Sequence, residues 1–176
     1  PPRTRRRRRL RPPAPFSGLA RGAVLAFLAR AGRAGLGSGL AGKKALIYGG
    51  GTGIGLACAA ALAQEGAAVF LSSRRETVLR EAVLGLKPHG KADFAAGDAT
   101  IAADVQRVTA AAARFMGGID TIVVSAGAGG RTPIFDTPVE EFQRIIDHSL
   151  LPPCRAMGYG GEHLLAAGKA SVIVIS

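Results

Sequence analysis

Beyond residue 43 the chain alternates short apolar runs with longer Ala- and Leu-rich stretches, the texture of buried strands separated by helices. Residues 45–48 read as a short buried strand, followed by a turn through Gly49, Gly50, Gly51, Thr52, Gly53, Ile54 and Gly55. Residues 54–65 have good helix propensity and are closed by Gly66, which suits the position just past a helix end. Residues 67–72 begin a second strand. The same alternation predicts a helix over 76–86, a third strand over 91–95, a helix over 102–115 and a fourth strand over 121–125. It then predicts a helical stretch over 140–167 broken at Pro152, and a fifth strand over 172–176. Strands that alternate with helices imply a doubly wound α/β domain, a parallel sheet of about five strands covered on both faces.

Residues 1–42 do not share this pattern. They hold an Arg block (Arg5 to Arg9) and a patch with Pro12, Pro13 and Pro15, then drift through Ala, Gly and Leu, and are expected to form a disordered basic arm. The longest uncharged apolar stretch, 22–29, is far below the ~20 residues that span a bilayer. Such an arm fits a solvated or non-native leader, an organellar targeting segment or a polyanion-binding tail. It also explains the charge. The formal net charge is +11, but residues 1–44 carry twelve bases and no acid, whereas 45–176 carry eleven bases against twelve acids. The high charge belongs to the arm, so nucleic acid is not the expected partner of the domain at 43–176.

Glycine is the compositional outlier, with 25 in 176 residues, about twice the ordinary share. Between a strand and a helix, the cluster 49–55 makes a βαβ unit of the Rossmann type. The first peptide N–H groups of a helix have no partner within it, and the helix dipole puts about half a positive charge there. A pyrophosphate is therefore stabilised if no side chain blocks its approach, and glycine removes the block. No Gly-Lys-Ser/Thr follows, which excludes a P-loop.

These residues resemble the short-chain dehydrogenase/reductase family, whose glycine motif is T-G-x-x-x-G-I-G. Gly49, Gly53, Ile54 and Gly55 occupy the motif, with Tyr48 where the family has Thr. Asp98 of GDAT is similar to the family's adenine-contacting Asp, and 120–127 (DTIVVSAG) to D-x-L-V-N-N-A-G. Residues 142–150 (FQRIIDHSL) resemble the segment ending D-V-N-L, and 170–176 (ASVIVIS) the strand that leads to the active site. Val124 and Ser125 replace the paired Asn, and Ser149 stands where the family has a catalytic Asn. The resemblance implies a dinucleotide site at Gly49, Gly51, Thr52, Gly53, Ile54, Gly55, Ser73, Arg74, Arg75, Asp98, Ala99, Ser125, Ala126 and Gly127. It implies a carbonyl–alcohol interconversion or an enoyl-thioester reduction on a small molecule, and a homo-oligomer when full length.

Cofactor choice is read about 20 residues past the glycine turn, where a carboxylate bonds the ribose of NAD and repels a 2′-phosphate. Ser73 is followed there by Arg74 and Arg75, and guanidinium groups pair with phosphate, so NADP(H) is expected. The family's catalytic Ser and its Tyr-x-x-x-Lys pair are expected beyond Ser176, so this chain by itself is read as a fragment without turnover. Tyr159 is followed four residues on by His163 rather than Lys. His89, His148 and His163 are scattered and read as structural or exposed. Cys58 and Cys154 make neither a disulfide framework nor a zinc site, which points to a reducing, cytoplasmic setting and no metal. The rival readings are a non-catalytic dinucleotide-binding or regulatory protein, and nucleic-acid binding through the arm.

Overall fold

The computed structural model describes residues 39–127 and 133–175; most of the basic arm and Ser176 lie outside them. The chain runs β1 (Lys44–Tyr48), α1 (Gly53–Gln64), β2 (Ala68–Ser73), α2 (Glu76–Leu86) and β3 (Ala92–Ala96). It continues through α3 (Ala102–Met116), β4 (Thr121–Val124), α4 (Val139–Ser149), α5 (Leu151–Ala166) and β5 (Ser171–Val174). The five strands form one sheet in the order β3-β2-β1-β4-β5, every pairing parallel. Chain order reverses beside β1, which opens a crevice at the carboxyl ends of β1 and β4.

Strand periodicity divides the core. Ala45, Ile47, Val69, Leu71 and Val123 meet Ala59 and Ala63 of α1 and Leu79, Val83 and Leu86 of α2. Their neighbours Leu46, Tyr48, Phe70, Ile122 and Val124 meet Val105, Val108, Ala112 and Met116 of α3, with Ala156 of α5. Adjacent side chains point to opposite faces, so runs such as ALIY are apolar throughout because both faces are covered.

Helix ends follow local chemistry. Gly66 has φ +85°, its N–H donates to Ala63 O and the Ala67 N–H to Leu62 O, which closes α1 as the sequence implied. At this same end of the sheet, away from the crevice, the Asp120 carboxylate accepts the Lys44 N–H at 3.1 Å and the Thr121 hydroxyl at 2.7 Å. Asp120 thus fixes the register of β1 against β4 and is remote from the crevice.

The predicted break at Pro152 falls earlier. α4 ends at Ser149 and α5 begins at Leu151, with Pro152 and Pro153 in its first turn. An amide missing there has no intrahelical acceptor to lose, so proline starts this helix rather than breaking it. Gly42 donates to Gly66 O at 3.0 Å, so the last residues of the expected arm already lie against the domain.

Candidate functional site

The carboxyl ends of β1, β2 and β4, with the loop after β3, enclose a cleft of about 690 Å³. Of the residues expected to hold a dinucleotide, Gly49, Gly51, Thr52, Gly53, Ile54, Ser73, Arg74, Arg75, Asp98, Ala99, Ser125, Ala126 and Gly127 all line it. Gly55 does not. A Cβ on Gly55 would collide with the Gly49 carbonyl, so glycine at this position lets α1 start tight beneath the turn. Gly49 carries both constraints: φ is +77°, and a Cβ would lie 2.5 Å from the Ser125 carbonyl oxygen. The turn is anchored by Gly49 N–H and Gly50 N–H, which both donate to Ser72 O, at 2.8 and 3.1 Å.

At the start of α1, Thr52 makes no side-chain cap and the first turn holds no acid. The earliest intrahelical bond runs from Leu56 N–H to Thr52 O, so the Gly53, Ile54 and Gly55 amides have no partner in the helix. A Cβ placed on Gly53 would meet nothing within 4 Å. These are the properties of an anion cradle, and they fit the pyrophosphate of a dinucleotide.

The wall opposite is polar. The Asp98 Oδ1 accepts the Thr100 N–H at 2.9 Å and the Thr100 hydroxyl at 2.8 Å, while the Asp98 N–H donates to Asp104 Oδ2. Burial pushes the Asp98 carboxyl up, but the two Thr100 bonds, Arg74 and His148 outweigh it and hold the carboxyl below its ordinary range. Arg74 and Arg75 are exposed at the end of β2 and make no ion pair among the described residues.

Several cleft residues escaped the sequence reading: Tyr48, Ser72, Val78, Gly97, Thr100, His148 and Pro152. His148, read as structural or exposed, stands half-buried in the cleft wall with Nδ1 hydrogen-bonded to Arg144 O at 2.8 Å. The signal available was its position beside Ser149, in the last turn of a helix that ends near the crevice. Ser149 itself does not line the cleft; its Oγ lies 3.5 Å from where a Cβ on Gly127 would sit. Tyr48 reaches across to α3, where its hydroxyl pairs with Thr109 Oγ1 at 2.8 Å and with Val105 O at 3.2 Å. Burial pushes this phenol up to about 12 despite the Thr109 bond. Ser72 Oγ is buried with no hydrogen-bond partner among the described residues. Among the described residues no His, Cys, Asp and Glu group could hold a metal, and no helix is long and apolar enough to cross a membrane.

The short chain dehydrogenase family model matches residues 43–176, and the chain belongs to that family. It is 41% identical over 95 residues to oxidoreductase asL5 of Sarocladium schorii, covering 54% of this chain and 37% of that protein. It is 36% identical over 121 residues to glucose 1-dehydrogenase of Gluconobacter oxydans, covering 65% and 45%. Among solved structures it is similar to an NADH-dependent reductase, A1-R′, complexed with NAD. That likeness has a TM-score of 0.71 at 29% identity and covers 79% of this chain and 61% of the other. The chain thus spans less than half the length of these two curated relatives. The chain thus carries the Rossmann-type sheet of an oxidoreductase family whose members bind nicotinamide dinucleotides, and the cleft lies at the carboxyl ends of that sheet's strands.

Proposed function

We propose that residues 43–176 form the dinucleotide domain of an NADP(H)-dependent oxidoreductase. Its reaction would interconvert a carbonyl and an alcohol, or reduce an enoyl thioester, by hydride transfer. The observation that carries the cofactor choice is the end of β2, where Ser73 meets the cleft and Arg74 and Arg75 follow with no ion pair among the described residues. A 2′-phosphate there meets two guanidinium groups instead of a repelling carboxylate. When bound, the cofactor would carry the hydride, its reduced form giving it to a carbonyl or enoyl group and its oxidised form accepting it from an alcohol. The chain's own residues bind and orient it. The α1 amides and Gly53 receive pyrophosphate, Asp98 and Ala99 take the adenine side, and Ser125, Ala126 and Gly127 give close backbone approach at the end of β4.

Neither tyrosine of this chain has Lys four residues on, and Tyr48 is buried against Thr109. We therefore read the 176 residues by themselves as a cofactor-binding unit without turnover. Mixing the chain with NADPH and a panel of ketones and enoyl thioesters tests this, and stereospecific turnover would overturn it. The non-catalytic reading is favoured by Ser149, a short hydroxyl where the family has Asn. We also propose a homo-oligomer for the full-length protein. Its support is α4, which buries none of its residues and leaves Val139, Phe142 and Ile146 exposed along one stripe. Cys58 and Cys154 are both unbonded, in keeping with a reducing compartment such as the cytoplasm.

The direct test measures dissociation constants for NADPH and NADH. NADPH should bind more tightly, and Arg74→Asp should shift preference towards NADH. Equal affinities, or tighter NADH as the name of the NADH-dependent relative suggests for that protein, would sink the NADP(H) assignment. Removing residues 1–42 should change NADPH affinity by less than about tenfold, which corresponds to ~1.4 kcal/mol.

A further inference from the structure

We propose that Arg155 of α5 is a positioning residue for the adenosine side of the cleft, an inference that rests on the dinucleotide reading above. Its Nη1 donates to the Thr100 carbonyl oxygen at 2.5 Å in a partly buried contact that crosses 55 positions of sequence. Arg155 makes no ion pair among the described residues, so a loop carbonyl rather than a carboxylate receives this guanidinium.

Thr100 is thereby engaged at three atoms. Its N–H and hydroxyl both donate to Asp98 Oδ1, and its carbonyl accepts from Arg155. The two donations fix the plane of the Asp98 carboxylate, while Oδ2 has no hydrogen-bond partner among the described residues. Oδ2 is thus the oxygen available to a donor on a ligand, such as an exocyclic amine. Arg155 follows Pro152 by three positions on the same helix, so the cleft-lining start of α5 and the cleft-lining Asp98–Thr100 loop are pinned to each other. A charged donor on a carbonyl in a partly buried site is stronger than a neutral one, and its geometry is retained because the rest of the loop is already bonded. The link joins the wall that faces adenine to the helix that starts beside Ser149.

The role is tested with the unsubstituted chain and the variants Arg155→Met and Arg155→Lys. Titration calorimetry with adenosine 2′,5′-bisphosphate probes the adenosine side, and nicotinamide mononucleotide probes the other end. Methionine keeps much of the apolar stem while removing the donors. Arg155→Met should weaken the bisphosphate about tenfold, ~1.4 kcal/mol, with the mononucleotide unchanged, and Arg155→Lys should recover most of the loss. Equal weakening of both ligands by Arg155→Met, or no weakening of either, would overturn the positioning role. A lysine variant that behaves like the methionine variant would do the same. Thermal midpoints for each variant separate unfolding from misplacement. An unsubstituted chain that binds neither NADPH nor NADH defeats the dinucleotide reading itself; one that binds them while the variants keep full bisphosphate affinity defeats only the role of Arg155.

Discussion

Two strands of the same sheet, β1 and β5, are similarly apolar in sequence, KALIY against SVIV, yet they occupy opposite environments. In β1, Ala45, Leu46 and Ile47 are fully buried, paired with β2 on one side and β4 on the other. In β5, Val172, Ile173 and Val174 are 38 to 48% exposed, and among the described residues the strand pairs with β4 alone. The helices repeat the contrast. α2 and α3 bury a stripe each, whereas α4 is amphipathic and buries nothing. Burial is thus a property of what lies above and below a strand, and the half of the domain that builds the glycine turn is the half with both faces covered. A rigid underlayer suits a site in which backbone amides must be held still for a phosphate.

The largest expected effect tests that contrast directly. Leu46→Ala should cost about 2–5 kcal/mol, the range for a fully buried leucine, while Ile173→Ala should cost about 1 kcal/mol or less. Urea denaturation of the two variants checks this, and comparable losses would mean that β5 is covered in solution, for example by a second copy.

Within the covered half, Ser72→Ala should raise stability by about 1–2 kcal/mol, because it removes a buried hydroxyl that has no partner among the described residues. A loss of stability would show that the hydroxyl is hydrogen-bonded in solution. Tyr48→Phe should cost about 1 kcal/mol at neutral pH, since Thr109 keeps its bond to Val105 O. The folded phenol is raised to about 12, so its contribution is complete below the unfolded value of ~10 and fades as pH rises through about 12. Absorbance titration of the phenolate, compared between the unsubstituted chain and Tyr48→Phe, checks the assignment.

The smallest effect sits where the cleft meets the less covered half. The Asp98 carboxyl is held down in the folded state, so its stabilisation is present above the ordinary carboxylate range and is lost as pH falls through the folded value. Denaturation midpoints followed from about pH 6 down to about pH 3 should fall less steeply for Asp98→Asn than for the unsubstituted chain. Parallel curves would show that the carboxyl titrates normally.

Local information was enough for much of the fold. The apolar runs, the helix stop at Gly66 and the glycine turn follow from steric rules that act over a few residues, and each strand and helix begins and ends within about two residues of the reading except at the α4–α5 junction. The same is true of the cleft wall contributed by the glycine turn and by Ser73, Arg74 and Arg75, because one βαβ unit delivers them together. Tertiary packing decided the rest. Gly55, whose spacing offers it as a ligand contact, is also where α1 rests against Gly49, a packing role that its spacing does not reveal. His148 carries no spacing signal because its neighbours in the cleft, Asp98 and Arg74, are distant in sequence and meet it only when α4 closes over the carboxyl ends of the strands. Arg155 met no partner in its own helix pattern; its acceptor is a carbonyl, which every residue has and no sequence distinguishes. The sequence by itself determined a doubly wound α/β domain with a phosphate-binding turn, because periodicity and glycine sterics are local. Which side chains wall the cleft, and which of two equally apolar strands is buried, was decided by the tertiary structure, because both depend on neighbours brought together by the parallel crossovers.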